Sequence, residues 1–296
     1  MNRRIITRPD FDGVVCAVLL KEVFGETAPI VWTQPNEIQR GAFKVTPYDI
    51  VANLPLSGNV ELWFDHHVSN QTDHPHKGVF RIAPSAAGLI YEYFKDKLPP
   101  RFDELVHQAD KIDSAQLTLD EILHPENYPY VLLSMTIFTR QDSDNAYCDL
   151  LVERLRKDTI SDVLNHSLVR QKCDKAVANN KAYEKLLKQH TSVTAKVSIS
   201  DFRSLASIPD GNRFLVYCLF PEAVVNAKLY YDGPYIVVKL GHSIVNRGCN
   251  VNVGQLLSNY GGGGHKGAGA CRLSPDQADE YIADIINTLI ENKPNE

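Results

Sequence analysis

Arg4-Ile5-Ile6-Thr7-Arg8-Pro9-Asp10-Phe11-Asp12-Gly13-Val14-Val15-Cys16-Ala17-Val18-Leu19-Leu20 is the stretch that decides the fold class. Residues 4–7 carry the β-branched pair of a short strand, residues 9–13 form a polar turn, and residues 14–24 read as an apolar helix. Further strand signals follow at residues 48–54 and 60–64, with helical patterns at 86–94 and 101–108. Strands that alternate with helices predict an α/β fold with a mostly parallel sheet and helices on its faces. Ligands of such sheets sit beyond the carboxyl ends of the strands. The sequence places Asp10 and Asp12 after the first strand, Asn53 at the end of the second, and Asp65-His66-His67 after the third.

Outward from that core, residues 129–189 are helical in pattern, with a charged stretch (Asp174, Lys175, Lys181, Glu184, Lys185, Lys188) toward their end. After His190 the texture turns to β at residues 193–199, 213–220, 225–231 and 235–240, with helices at 253–259 and 275–291. The expected organisation is a parallel-sheet domain with a helical cap over residues 1–165, a helical connector over 166–190, and a smaller mixed α/β domain over 191–296. A chain of 296 residues fits two domains.

Composition narrows the function classes. With 44% hydrophobic and 23% charged residues this is an ordinary globular chain. No run approaches the roughly 18 apolar residues of a membrane span, and residues 1–7 lack the apolar stretch of a secretory signal, so a cytoplasmic protein without a membrane partner is expected. The six cysteines are scattered without C-x-x-C spacing, which argues against a zinc ribbon or a dithiol redox motif. A net charge of −5 argues against wrapping long duplex nucleic acid, yet a metal ion or a ring of backbone N–H groups supplies local positive potential for a small anion.

Four clusters carry chemistry. In Asp10-Phe11-Asp12-Gly13, two carboxylates one residue apart suit metal ions, although the same string also serves as a turn and helix cap. Asp65-His66-His67 is rarer: one imidazole suits a divalent metal, the other a phosphate oxygen, and Asp65 suits the orienting of a ring. In Gln108-Ala109-Asp110-Lys111-Ile112-Asp113-Ser114, a further carboxylate competes with the reading of an exposed helical face. In Gly261-Gly262-Gly263-Gly264-His265-Lys266-Gly267, glycines open the backbone to an anion and His265 and Lys266 add donors, a flexible linker being the alternative.

D-x-D-G near the start, Asp-His-His some fifty residues on and G-G-G-G-H near the end together resemble the DHH phosphoesterase family with its associated C-terminal domain, closest to the exopolyphosphatase-like and oligoribonuclease-like branch. The resemblance covers nearly the whole chain. It implies a phosphoesterase that uses Mn2+ or Mg2+ to activate a water. Asp10 and Asp12 then match the paired acids, His66 a metal-binding imidazole, His67 the imidazole facing the phosphate beside Asp65, and Asp110 the acid of the fourth motif, with Asp113 close by. Gly262, Gly263, Gly264 and His265, with Arg247, match the substrate-holding loop.

Two positions depart from the family pattern. Where relatives carry a metal-binding His this chain has Arg8, which is always protonated and repels a cation. Where they carry a bridging Asp it has Asn53, a neutral donor. The expectation is therefore one well-held ion at Asp12, His66 and Asp110, with Asn53 as a neutral ligand, Asp10 left nearly alone, and Arg8 standing as a fixed charge toward a phosphate oxygen. The predicted activity is hydrolysis of phosphodiester or phosphomonoester bonds in short single-stranded oligonucleotides or small nucleotides. A ligand-binding relative without turnover is the alternative, and an exopolyphosphatase-like hydrolase a further one. Trp63, Phe64 and Tyr260 offer aromatic faces for a base, with burial in the core as the competing reading; a homodimer is left open.

Overall fold

The computed structural model describes residues 3–137 and 143–295. Residues 138–142, inside the stretch read as helical, lie outside the described residues. The chain divides into two compact units, Met1–Leu117 with Pro125–Asp174, and Thr118–His124 with Lys175–Glu296.

The first unit is built on five parallel strands, β1 (Ile5–Thr7), β2 (Ile30–Trp32), β3 (Ile50–Ala52), β4 (Leu62–Asp65) and β5 (Gly78–Phe80), in the order β2-β1-β3-β4-β5. Ile5, Ile6, Ile50, Val51, Trp63 and Phe64 are all buried, the continuous apolar texture of strands covered on both faces. β2 and β5, the half-buried strands at the two edges of the sheet, are absent from the sequence reading.

The helix Phe11–Phe24 starts three residues earlier than residue 14, inside the expected turn. Its cap explains the difference: Asp10 Oδ1 accepts from Gly13 N at 2.8 Å, so the D-x-D-G string is the helix start itself. Residues from Phe11 to Lys21 are buried all round, so this helix is the centre of the unit. The acidic segment 108–114 closes a helix, Asp103–Asp113, with Ser114 as its C-cap.

The second unit holds a mixed six-stranded sheet, β10-β11-β9-β8-β7-β6, made of β6 (Thr191–Thr194), β7 (Val197–Asp201), β8 (Val225–Asp232), β9 (Tyr235–His242), β10 (Gly263–His265) and β11 (Ala268–Leu273). Only β7 and β8 pair in parallel. The helix Pro275–Glu291 lays Ala278, Ile282, Ile285 and Leu289 on the sheet's core.

Three readings of this half are corrected. The segment read as one strand over 193–199 turns at Ala195 and Lys196, both at positive φ, and becomes two antiparallel strands. The β reading of residues 213–220 gives way to a short helix, Leu215–Leu219, where an apolar run of five is ambiguous by pattern and the backbone N–H of Leu215 bonds the carbonyl of Asn212. The glycine-rich loop is a hairpin strand, β10, paired with β11. Gly264 has φ +152, and a Cβ there would lie 2.3 Å from the Ala268 carbonyl oxygen, so the glycine serves close strand packing.

Gly13 carries the sharpest constraint in the first unit. A Cβ at this position would meet the Arg8 carbonyl oxygen at 1.8 Å and Thr7 Oγ1 at 2.9 Å, so the turn after β1 is pressed onto the helix. Gly13→Ala is expected to destabilise the protein by about 3 kcal/mol and lower its melting temperature by roughly 10 °C. Calorimetry on the full chain checks this; an unshifted transition would mean that the turn relaxes freely.

Candidate metal and phosphate site

In a sheet ordered 2-1-3-4-5 the chain runs to one side of β1 and then to the other, which opens a crevice between the carboxyl ends of β1 and β3. The segments that leave β1, β3 and β4 carry the residues singled out by sequence. Arg8 and Asp10 follow Thr7, Asn53 follows Ala52, and His66 and His67 follow Asp65. Asn53 takes the left-handed conformation at φ 57, which asparagine tolerates better than most residues, and its N–H bonds the Phe64 carbonyl at 2.9 Å.

Asp65 is fully buried and saturated by donors. Its Oδ1 accepts from His66 N at 2.8 Å and His67 Nδ1 at 2.8 Å, and its Oδ2 from Asn70 Nδ2 at 2.6 Å. It is thus an orienting group, even though Asp65, His66 and His67 lie close enough together to hold an ion. Burial opposes the charged form of His67, as does the charge of Arg8, yet the Asp65 hydrogen bond and charge, with Asp113 beyond, raise its pKa above the ordinary imidazole value.

His66 is fixed differently. Nδ1 lies 3.0 Å from the Ala83 carbonyl, which only accepts, so Nδ1 donates there and Nε2 is the nitrogen turned toward the acids. That Nε2 is buried without a hydrogen-bond partner. It lies 3.7 Å from Asp12 Oδ2 and 3.4 Å from Asp113 Oδ2. Asp12, His66 and Asp113 form the second group of donors within reach of a common ion. An octahedral Mg2+ or Mn2+ with ligands at about 2.1 Å sets neighbouring donors about 3 Å apart, so these three need close in only slightly.

Asp12 strengthens the fit. Its carboxylate is buried against the start of the helix Ala86–Tyr93, where Oδ2 accepts from Ala86 N at 3.0 Å and Oδ1 from Ala87 N at 2.9 Å. Burial, then the charges of Asp113 and Asp10, push its pKa well above the ordinary carboxylate range against the pull of those two N–H groups. Buried acids crowded in this way call for a cation. Asn53 Oδ1 is a second buried acceptor without a partner and adds a candidate neutral ligand.

Asp110, the acid favoured by sequence, is turned elsewhere. Its Oδ1 accepts from Ser85 Oγ at 2.6 Å, and Ser85 caps the helix whose first N–H groups hold Asp12. Asp110 and Asp113 are three apart on one helical face, so spacing alone does not separate them. Ser85, Ala86 and Ala87 were missed altogether; the only sequence signal was a serine ahead of an apolar helix.

Asp10 is engaged on both oxygens. Oδ1 accepts from Gly13 N at 2.8 Å and from Asn53 Nδ2 at 2.9 Å, while Oδ2 lies 3.1 Å from Arg8 Nε. The two departures from the family pattern therefore meet on one carboxylate.

In the second unit His265 and Lys266 are exposed at the tip of the β10–β11 hairpin, whose backbone spans Gly263 and Gly264. Gly262 precedes the strand. Arg247 is exposed in the loop after β9, its Nε on the Ile244 carbonyl at 3.3 Å. Trp63 and Phe64 are fully buried, so neither offers a face to a base, and Tyr260 packs on the second unit's core.

No family model matches the sequence, and no curated protein matches it by sequence. Among solved structures the chain is similar to the pGpG-specific phosphodiesterase PggH from Vibrio cholerae, with a TM-score of 0.84 and 29% identity over 98% of this chain and 99% of that one. It is similar also to the DHH domain of a member of the s1p family of ribosomal proteins, with a TM-score of 0.64 and 11% identity over 99% and 87% of the two chains. RecJ from Thermus thermophilus in complex with Mn2+ matches with a TM-score of 0.59 and 14% identity over 98% of this chain and 52% of that one. Likenesses at 11% and 14% speak for the fold, and the first reaches further. The chain's solved neighbours thus include DHH-family proteins, whose fold it shares, and the order of motifs described above resembles theirs.

Proposed function

We propose that this protein is a metal-dependent phosphoesterase that hydrolyses phosphodiester bonds in short oligonucleotides, with linear 5′-phosphorylated dinucleotides as the first substrates to test. The observation that carries the reading is His66 Nε2, a buried nitrogen without a hydrogen-bond partner, set between the carboxylates of Asp12 and Asp113. The likeness to a pGpG-specific phosphodiesterase at 29% identity over nearly the full length of both chains supports the substrate class.

Asp12, His66 and Asp113 would hold one divalent ion, Mn2+ or Mg2+, with Asn53 Oδ1 as a neutral donor. Such an ion, when bound, polarises a water and offsets negative charge on a phosphoryl group. His67, steered through Nδ1 by Asp65, would present its other nitrogen to a phosphate oxygen or a leaving group, and the Asp65 hydrogen bond and charge that raise its pKa favour the proton-donating form. The hairpin glycines 262–264, His265 and Arg247 of the second unit are proposed to contact substrate.

A nucleotide-binding protein without turnover is the second reading, and one observation favours it: Asp10 is engaged on both oxygens by groups of this chain, Gly13, Asn53 and Arg8. Polyphosphate is disfavoured as a substrate, because a long polyanion wants a basic track and the chain is acidic overall.

With Mn2+ and nuclease-free protein, dinucleotide hydrolysis is expected in the wild type. His66→Ala should lose both activity and bound Mn2+, and His67→Gln should lower turnover by about 10²–10⁴-fold while keeping its ion. A wild-type preparation loaded with Mn2+ that leaves every dinucleotide intact would shift the assignment to the binding protein.

Asp113 and Asp110 are separable by the same metal assay. Asp113→Asn should abolish stoichiometric Mn2+ binding, whereas Asp110→Asn, acting through Ser85, should weaken it by about 10–100-fold. The reverse ranking would return the ligand to Asp110.

A further inference from the structure

We propose that Arg8, fixed by Asp10 and Asn53, is a built-in cation that receives a phosphate oxygen where a second metal ion would otherwise stand. The inference rests on the proposed phosphoesterase reading for its substrate, and on the geometry of three residues for its substance.

Those residues close on one another. Arg8 Nε lies 3.1 Å from Asp10 Oδ2, Asn53 Nδ2 donates to Asp10 Oδ1 at 2.9 Å, and Gly13 N donates to the same oxygen at 2.8 Å. The carboxylate is left with one positive and one neutral side chain, which makes the group formally neutral. A divalent ion placed on Asp10 would have to displace Asn53 and approach a guanidinium that never loses its charge.

Arg8 is also held where it can act. The Asp10 N–H bonds the Arg8 carbonyl at 3.0 Å, and the same carbonyl is pressed against Gly13, so the backbone of the turn has little freedom. Asp10 engages the guanidinium at Nε. The two terminal nitrogens make no hydrogen bond to any of the described residues, and the side chain is 39% exposed. Arg8 follows β1 and His67 follows β4 at the same edge of the sheet, and the charge of Arg8 opposes the protonation of His67. A planar pair of donors beside an imidazole suits a phosphate, and the Asp10 contact orients that pair. Arg8 is accordingly a substrate-binding residue, while Asp10 and Asn53 are positioning residues.

The test is titration of inorganic phosphate into the full chain after metal removal with EDTA, alongside Mn2+ counting by elemental analysis. The metal-free wild type should bind phosphate, and Arg8→Gln should weaken that binding at least about tenfold at an unchanged melting temperature. Arg8→Lys should recover part of it, since the charge returns without the planar fork. Wild type and Arg8→Gln should both hold one Mn2+ per chain, and the Arg8→His, Asn53→Asp double variant two. In turnover, Arg8→Gln should raise KM for a dinucleotide more than it lowers kcat. Equal phosphate affinity in the wild type and Arg8→Gln overturns the proposal, as do two Mn2+ ions in the wild type. Phosphate binding in EDTA needs no hydrolysis, so loss of affinity in Arg8→Gln without dinucleotide turnover sustains this inference and removes the enzymatic one.

Discussion

The carboxylate of Asp10 ties the start of the central helix to the ends of two strands. One oxygen caps the helix Phe11–Phe24 through Gly13 N and receives the amide of Asn53 from the end of β3, while the other faces Arg8. Because the capped helix is buried from Phe11 to Lys21, its entry angle fixes where Asp12 points, and Asp12 in turn reaches the first N–H groups of the helix Ala86–Tyr93. A side chain that sequence reading treats as a metal ligand thus has a structural duty that accounts for all the acceptor capacity observed. The same turn is tight at position 13, where a Cβ would meet the Arg8 carbonyl oxygen at 1.8 Å.

The replacements at positions 8 and 53 make sense only as a pair. In the family pattern a neutral histidine, two aspartates and a divalent cation sum to no net charge. Here Arg8 and Asp10 sum to none without the ion, and Asn53 contributes an amide instead of a second negative charge. Arg8 alone beside a divalent ion would be repelled by it, and Asn53 alone would leave an ion under-ligated. On the reading proposed above, together they would exchange a bound cation for a covalent one, at the cost of a group able to activate water. The remaining acids keep the opposite character: Asp12, buried and crowded by Asp113 and Asp10, is stabilised in its charged form only weakly by two backbone N–H groups. The first unit therefore holds a self-neutralised half and a cation-seeking half, side by side.

Much of this was legible in the sequence, and the limits were physical. β1, β3, β4 and the long helices carry enough apolar residues in sequence to declare themselves, and the ends of those strands delivered Arg8, Asp10, Asn53, Asp65, His66 and His67 to one edge of the sheet. β2 and β5 lie at the sheet edges, half-buried, and lack the fully buried texture of β1 and β3. Residues 215–219 could have been strand or helix, since an apolar run of five satisfies both patterns. Asp113 was in view, but the choice between it and Asp110 depends on Ser85, and the partnership of Asp12 with Ala86 and Ala87 spans more than seventy residues, beyond what local pattern reports.

The glycine run of the second unit shows the same limit from the other side. Read as a sequence, Gly261 to Gly264 promises backbone exposed to an anion; in the fold, Gly262 and Gly264 are packed against the backbone of β11 and Gly254 against the carbonyl of Gly264. Side chains are excluded there by strand and helix packing before any ligand is considered. The packing nonetheless fixes the hairpin tip, with the Val253 N–H on the Lys266 carbonyl at 3.0 Å and the His242 N–H on the Gly267 carbonyl at 2.8 Å. A tip held this way presents His265 and Lys266 to solvent from a rigid base, which limits the ordering entropy lost when such donors bind an anion. The glycines thus allow a tight hairpin that carries its polar residues on a fixed backbone.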